Sequence, residues 1–215
     1  RERLGMLDDP TPARHLKMKT GRVTHHWNRN CLAVGLSQGF IEPLEATALL
    51  FIQRTVMAFV EVLQAGDLSE GARRQFNDRL NAHFEGTRDY IVSHYKTNSR
   101  TDTDYWRANA ANGELSDPLK ELYTRWLSGA GVAKEVGAQE LGRGYPVASW
   151  YSLLAGMGCF PDASRMRPPR PGEACDLSQV DHLLERSALN FPEQRALLAA
   201  IPPRDAERPL QLYFW

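Results

Sequence analysis

The strongest apolar pattern lies between residues 31 and 63, and its spacing changes along the way. Residues 31–36 form a short apolar run without alternation, which is typical of a strand buried on both faces. Gly35, Gly39 and Pro43 then indicate a tight, irregular connection. From Pro43 to residue 63 the segment is apolar almost all round, so we predict a buried helix that forms the spine of the fold. Its side chains expected to be largely buried are Leu49, Phe51, Ile52, Val56, Phe59 and Val60.

Helical spacing also dominates the chain after residue 66, whereas residues 22–27 have the composition of a short strand. Asp102 and Asp104 are typical helix N-caps, and Asp117 and Pro118 together are typical of a helix start. The predicted helical segments are 71–96, one beginning near 102–106, 117–128, 177–188 and 192–201, and a dense apolar run covers 148–160. We therefore predict a mainly α protein with a short β segment near its N-terminus.

Charge and cysteine content narrow the class of protein. The 26 Lys and Arg residues are balanced by 26 Asp and Glu residues, so no basic surface for nucleic acid or anionic membrane is indicated. Three cysteines far apart in sequence argue against a disulfide framework and for a reducing compartment. Arg54 and Glu61 interrupt the apolar helix too early for it to span a membrane. We expect a cytoplasmic protein with neither nucleic acid nor membrane as a partner.

The start of the helix after Pro43 is the first candidate site. A helix N-terminus presents unpaired N–H groups and a partial positive charge, which favour a bound anion or an electron-rich ring edge. Two carboxylates, Glu42 and Glu45, lie at the same end. By this reasoning alone, Glu45 is an acidic residue stabilised by the helix dipole.

The connection itself also contains a known catalytic pattern. Gly35-Leu-Ser37-Gln-Gly39 matches the nucleophile elbow of serine hydrolases, and Asp162 and His182 follow in the required order. However, an elbow serine leads directly into its helix, and a hydrolase sheet needs strands and helices that alternate. Neither pattern follows Ser37, so a serine hydrolase is the weaker alternative.

Residues 30–47 carry a family resemblance, because they read N-C-L-A-V-G-L-S-Q-G-F-I-E-P-L-E-A-T. This segment resembles the signature of the flavin-dependent tryptophan halogenase family, whose usual form is N-C-V-A-I-G-L-S-S-G-F-L-E-P-L-E-S-T. Three further segments resemble the same family: the Gly-Arg and Trp lead-in at 21–27, H-Y-K followed by D-T-D-Y-W-R at 94–107, and S-W-Y-S-L-L-A-G-M-G at 149–158.

The resemblance implies a fold and a division of the chain. It makes the chain the C-terminal part of an α/β, FAD-dependent monooxygenase-like fold. Residues 1–44 would be a remnant of the flavin-binding domain, and residues 45–215 a helical substrate-side domain. Family members carry a flavin fingerprint, a W-x-W-x-I-P motif and a catalytic lysine in an N-terminal half that has no counterpart here. That flavin-binding half is therefore an expected partner, and we expect the chain alone to be inactive.

The resemblance also implies an activity. Reduced FAD from a separate flavin reductase, O2, and chloride or bromide would serve to halogenate an aromatic substrate. That substrate would be of indole, phenol or pyrrole type, either a free small molecule or bound to a carrier. No metal is implied. A non-catalytic helical binding module is the second alternative, because only part of the family's machinery is present.

Site residues follow from the same resemblance. Glu45 matches the catalytic glutamate, and the backbone N–H groups of Thr47 and Ala48 match the halide site. Ala46 departs from the family, which usually has serine there. The residues expected to contact the flavin are Gly39, Phe40 and Pro43, and those expected to line the substrate are Trp106, Trp150 and Tyr151.

Overall fold

The computed structural model describes residues 16–133, 144–166, 176–189 and 193–201, together with residues 5, 8–10, 12, 136, 168 and 172. The chain divides into two compact units, Arg1–Arg167 and Pro168–Trp215. The first unit contains four very short strands and five helices among its described residues. Two further helices belong to the second unit. This agrees with the predicted mainly α class with a short β segment.

The strands form two separate antiparallel pairs. β1 (Gly21–Arg22) pairs with β4 (Gly39–Phe40), and β2 (Trp27–Asn28) pairs with β3 (Cys31–Leu32). The prediction of a strand at 31–36 buried on both faces was wrong, because pairing ends at Leu32 and Leu36 is 74% exposed. A two-stranded pair has no sheet on either side that would bury both faces.

Most helices begin and end close to the predicted positions. In the first unit they are α1 (Thr47–Ala65), α2 (Glu70–Lys96), α3 (Asp104–Ala111), α4 (Asp117–Leu127) and α5 (Val147–Gly156). The N-caps differ from the predicted aspartates: Thr103 Oγ1 accepts from the N–H of Trp106, and Ser116 Oγ accepts from that of Leu119. The hydroxyl one residue before each aspartate satisfies an N–H of the first turn.

α2, rather than α1, is the spine of the fold. Its N-terminal half contributes Phe76 and Leu80 to a small core with Trp27 of β2 and Ala58 of α1. Its C-terminal half contributes Tyr90 to a larger core with α4, α5 and neighbouring residues. The members of that larger core are Tyr90, Leu119, Leu122, Val132, Val136, Tyr145, Trp150, Leu153 and Leu154.

α1 is buried on one side only, so the prediction of a buried spine helix after Pro43 was wrong in this respect. Phe51, Thr55 and Ala58 are buried, whereas Leu49 is 70% exposed. The exposed side forms an apolar stripe, which we define as Leu49, Val56, Met57, Val60 and Leu63. Judged by length and composition alone, Leu44–Ala65 could cross a membrane, but the core helix of a soluble protein meets the same criteria.

The N-terminal strands are attached to α2 by polar contacts. The side-chain amide of Asn77 accepts from the N–H of Trp27 at 2.8 Å and donates to its carbonyl at 3.0 Å. Arg22 of β1 donates to Glu85 at 2.9 Å, and Glu85 also pairs with Arg88. The Asn77 amide satisfies both the N–H and the carbonyl of Trp27. β2 is therefore attached to α2, although it belongs to a sheet of only two strands.

The second unit contributes two described helices, α6 (Ser178–Leu189) and α7 (Gln194–Ala200). They lie close to the predicted segments 177–188 and 192–201. Glu193 Oε2 caps α7 by accepting from the N–H of Ala196 at 3.0 Å. The predicted proline-rich connection at 167–172 lies largely outside the described residues.

Buried His26 gives a prediction about pH and stability. Its ring is 1% exposed, stacks on Phe84 at 5.5 Å and lies 3.1 Å from Asn81 Oδ1 through Nε2. Burial lowers the pKa of His26 below its ordinary value of 6.5. Between the two pKa values the unfolded chain binds more protons than the folded chain. The free energy of unfolding is therefore expected to fall as the pH drops below about 6.5.

Urea unfolding between about pH 5 and 8 measures this effect. His26→Gln is expected to remove this part of the pH dependence, because glutamine does not titrate. His25→Gln is the control: it changes the adjacent, exposed histidine and is expected to leave the slope below pH 6.5 in place. Equal slopes for the wild type and His26→Gln would contradict the prediction.

Candidate functional site

The connection into α1 has an unusual backbone. Glu45 and Ala46 have φ values of 57° and 53°, so two consecutive residues other than glycine adopt the left-handed conformation. Each such residue costs roughly 1–2 kcal/mol. The strain lies in the 3-10 turn Leu44–Ala46, directly before the first residue of α1. Backbone strain of this kind is concentrated at functional sites, where surrounding contacts must stabilise it.

Thr47 provides one of these contacts. Its hydroxyl donates to the carbonyl of Leu44 at 2.7 Å and lies 2.8 Å from the hydroxyl of Tyr145. Because a threonine hydroxyl has a single hydrogen, Tyr145 is the donor in the second bond. Thr47 is 2% exposed, so this pair of bonds ties the turn to the larger core.

Aromatic side chains continue the contact towards Glu45. Tyr145 stacks on Tyr90 with ring centroids 3.8 Å apart, and Tyr90 meets the ring of His94 edge-on at 4.8 Å. Nε2 of His94 lies 3.6 Å from Oε1 of Glu45, whose side chain is 47% exposed. Burial, followed by the negative charge of Glu45, raises the pKa of Tyr90 to about 12. Tyr90 therefore stays neutral beside the carboxylate.

Glu42 has a separate set of partners. It accepts a hydrogen bond from the hydroxyl of Tyr95, in the last turn of α2. This bond, more than burial, raises the pKa of Tyr95. The ring of Tyr95 stacks on Trp106 of α3 at 5.8 Å, and the guanidinium of Arg100 lies 4.5 Å from the centroid of Trp106. The two glutamates therefore lie against different residues of one helix end.

Two cavities flank Phe40, which is half-buried in β4. One, of about 80 Å³, is also lined by Gly39, Gln38 and Ala48. The other, of about 270 Å³, is also lined by Arg22 and other residues of β1 and α2. Three of the predicted site residues, Gly39, Phe40 and Ala48, therefore surround the smaller cavity.

Gln38 also lines the smaller cavity. The side chain is 1% exposed, and its Nε2 donates to Thr55 Oγ1 at 2.7 Å, whereas Oε1 has no partner. The cavity has room for about two water molecules. The cavity is small for a flavin ring.

Gly39 has a structural role that predicts the effect of a substitution. A Cβ at this position would lie 2.7 Å from the carbonyl oxygen of Gly21 and 2.8 Å from Cα of Arg22. Because both are backbone atoms of the paired strand, they cannot move away cheaply. We expect Gly39→Ala to lower the free energy of unfolding by about 1–3 kcal/mol.

The matched control for this substitution is Gly71→Ala in α2, measured by the same urea unfolding. A Cβ at Gly71 would meet only Ser69 Oγ, at 3.6 Å. Gly71 is the second residue of α2, so alanine is expected to raise the free energy of unfolding by less than the roughly 0.5–1 kcal/mol that it gains over glycine in the middle of a helix. A Gly39→Ala protein as stable as the wild type would show that β1 and β4 do not approach this closely.

The remaining predicted residues are dispersed. Pro43 is exposed and directly precedes the 3-10 turn. Trp106 is half-buried on Tyr95, whereas Trp150 is 0% exposed and belongs to the larger core. Tyr151 packs against Trp126 with ring centroids 5.7 Å apart.

The hydrolase alternative gains no support from the local geometry. Ser37 Oγ donates to the carbonyl of Val34 at 2.9 Å and accepts from its N–H at 3.0 Å, so its hydrogen is used within the turn. Asp162 accepts from Ser164 at 2.6 Å. His182 lies in the second compact unit. Among the described residues, no group of three or more His, Cys, Asp or Glu side chains could hold a metal ion.

The sequence did not identify His94, which lies beside Glu45, or the two tyrosines that pack behind it. His94 was noted only within the H-Y-K segment, and neither Tyr145 nor Tyr90 was singled out. The spacing of Tyr90 and His94, four residues apart on a helix, shows that they share a face. No sequence pattern shows that this face meets a turn about fifty residues earlier in the chain.

Comparison with known proteins agrees with the resemblance seen in the sequence. The family described as tryptophan halogenase matches residues 1–168. Tryptophan 6-halogenase SttH of Streptomyces toxytricini is 33% identical over 160 residues, which cover 74% of this chain and 30% of SttH. Tryptophan 7-halogenase RebH of Lentzea aerocolonigenes is 29% identical over 207 residues, which cover 91% of this chain and 38% of RebH.

Solved structures show the same similarity in three dimensions. The crystal structure of SttH superposes with a TM-score of 0.74 at 29% identity, covering 94% of this chain and 41% of SttH. The chlorinase Tar14 from taromycin biosynthesis gives the same TM-score at 27% identity, covering 93% of this chain and 40% of Tar14. The chain thus spans less than half the length of the relatives it matches.

Proposed function

Because this chain belongs to the tryptophan halogenase family, we propose that it is the C-terminal part of a flavin-dependent halogenase acting on an aromatic substrate. The observation that carries the proposal is the half-exposed carboxylate of Glu45, on a strained turn directly before α1. A carboxylate with an exposed oxygen can reach a substrate, and a turn that is held at both ends keeps it in one place.

Glu45 would act as the proton acceptor of the reaction. When a halogen adds to an aromatic ring carbon, that carbon must lose its hydrogen as a proton before aromaticity is restored. A carboxylate within hydrogen-bond distance of the C–H group can take this proton. Ala46 has no hydroxyl with which to assist, so we assign the base function to Glu45 alone within this turn.

Thr47 and Ala48 would provide the halide site through their backbone. They are the first two residues of a nineteen-residue helix, so their N–H groups belong to the first turn, where the helix dipole favours an anion. The Thr47 hydroxyl is already engaged with Leu44 and Tyr145. Only its main chain would therefore contact chloride or bromide.

FAD would be held against Gly39, Phe40 and Pro43 as one wall of its site, with the other walls supplied by the flavin-binding half. Half-buried Phe40, beside the cavity of about 270 Å³, fits a wall of this kind. When bound in its reduced form, the cofactor would supply the oxidation of halide by O2. A separate flavin reductase would deliver it, and the protein would be cytoplasmic.

The flavin-binding half is also the partner that we propose for the apolar stripe of α1. Leu49 and Met57 of that stripe are 70% and 57% exposed, and the matched relatives have more than half of their length outside this chain. Residues 1–44 would belong with that half, and residues 45–215 would form the substrate side. Half-buried Trp106 and Tyr151 remain the proposed substrate wall, and Trp150 would support that wall from behind, because its side chain is 0% exposed.

The test is halide-dependent product formation by the complete protein of which this chain is proposed to be a part. It is supplied with FAD, a flavin reductase, chloride or bromide, and a panel of indoles, phenols and pyrroles, either free or carrier-bound. We expect halogenated product only when halide is present. Oxidation without halide dependence, or no product with any member of the panel, would overturn the proposed activity.

The 215-residue chain by itself provides the second arm of the test. We expect it to form no product and to bind FAD more weakly than a Kd of about 1 μM, because it supplies only one wall of the flavin site. Tighter binding of FAD by this chain would overturn the proposed division between the two halves.

A further inference from the structure

The tautomer of His94 follows from its contact with the main chain. Its Nδ1 lies 2.9 Å from the carbonyl oxygen of Tyr90. A carbonyl oxygen can only accept a hydrogen bond, so Nδ1 must carry the hydrogen. In the neutral ring, Nε2 therefore has no hydrogen and presents its lone pair towards Oε1 of Glu45.

The distance between these two atoms agrees with that assignment. Nε2 and Oε1 are 3.6 Å apart, which is longer than a hydrogen bond. A lone pair that faces a carboxylate oxygen gains nothing from approaching more closely. The contact becomes attractive only when one proton lies between the two groups, on either the imidazole or the carboxyl.

The ring of His94 is also fixed in place. It packs edge-on against Tyr90, Tyr90 stacks on Tyr145, and the Tyr145 hydroxyl bonds to Thr47 at the start of α1. The side chain of His94 is only 19% exposed. Its position is therefore set by the same contacts that stabilise the strained turn.

We propose that His94 is a positioning residue that orients the carboxylate of Glu45 and shares a proton with it. The proposal rests on the proposed function of Glu45 as proton acceptor. As Glu45 takes the proton from the halogenated ring carbon, the C–H electron pair returns to the aromatic ring and an O–H bond forms on Glu45. That O–H group then donates to Nε2 of His94, which draws the pair to hydrogen-bond distance.

The first test needs no catalysis and uses the 215-residue chain. Nitrogen-15 NMR of the imidazole at about pH 9, where histidines are neutral, is expected to show His94 with its hydrogen on Nδ1. In Glu45→Gln the amide can donate to Nε2, so the Nε2 signal is expected to shift. Glu42→Gln is the control and is expected to leave that signal unchanged, because Glu42 is bound to Tyr95.

The second test measures turnover in the complete protein. His94→Phe is expected to lower kcat by about a hundredfold while KM for the aromatic substrate is unchanged, since a misplaced catalytic group costs about that much. His94→Gln is expected to recover part of kcat, because its amide oxygen can accept the O–H of protonated Glu45 in place of Nε2. Tyr95→Phe is the structural control: it alters the same helix end and is expected to retain most of kcat.

The outcomes separate this proposal from the one on which it rests. A neutral His94 with its hydrogen on Nε2, or wild-type kcat in a folded His94→Phe protein, would overturn the role of His94. A wild-type protein without halide-dependent product would overturn the halogenase function instead. The tautomer and its response to Glu45→Gln would then stand as properties of the turn.

Discussion

Replacing Glu45 by glutamine in the complete protein is expected to lower the rate of halide-dependent product formation by about a hundredfold to ten-thousandfold. That is the usual contribution of a general base. Glutamine has nearly the same shape, so the strained turn and the affinity for FAD are expected to persist. Only the proton-accepting oxygen is lost. The measurement is single-turnover product formation with reduced FAD, halide and an aromatic substrate.

Two variants in the same loop serve as controls. Glu42→Gln changes the carboxylate three residues earlier, which Tyr95 already engages, and is expected to have a much smaller effect on the rate. Ser37→Ala removes a hydroxyl that bonds only to the backbone of Val34, and its effect is expected to be mild. Near-wild-type turnover in Glu45→Gln, or an inactive Ser37→Ala beside an active Glu45→Gln, would contradict the assignment.

Replacing Trp150 by alanine is expected to lower the free energy of unfolding by about 3–5 kcal/mol, the usual cost of deleting a large buried aromatic side chain. Trp150 is 0% exposed and meets Tyr90 edge-on with ring centroids 4.9 Å apart. Its loss would leave a cavity between α2 and α5. Urea unfolding of the 215-residue chain measures the change.

Trp150→Phe tests the contribution of the buried indole N–H group. The indole Nε1 of Trp150 is buried without a hydrogen-bond partner, and an unsatisfied buried donor is itself unfavourable by about 1–3 kcal/mol. Phenylalanine removes that donor and keeps most of the ring, so we expect a much smaller loss than with alanine. If both variants lost equal stability, the Nε1 group would have to be paired in the folded protein.

The helices were predictable because their apolar periodicity and turn residues are local properties. Residues 71–96 were expected to be helical, and α2 covers Glu70–Lys96. Burial was harder to predict, because apolar character all round a helix does not say how many neighbours cover it. Leu49 and Val60 were expected to be buried with Phe51, yet of these three only Phe51 is buried, where it stacks on Phe84 of α2.

The candidate site was predictable from the signature only as a set of residue types. Glu45 and Ala48 come from the resemblance, and the start of α1 was expected within a few residues. The left-handed backbone at Glu45 could not be predicted, since most glutamates avoid positive φ. His94 could not be assigned either, because its contact with Glu45 depends on how α2 lies against the turn.

The turn before α1 does not specify its own shape. Its backbone is stabilised through Thr47 by Tyr145, ninety-eight residues later in the chain, and the carboxylate of Glu45 lies 3.6 Å from His94, at the end of α2. Residues 30–48 grafted onto another scaffold would therefore lose the conformation that presents Glu45. The shape of this loop is therefore best altered by substitutions at the end of α2 and at Tyr145, which lie outside the signature itself.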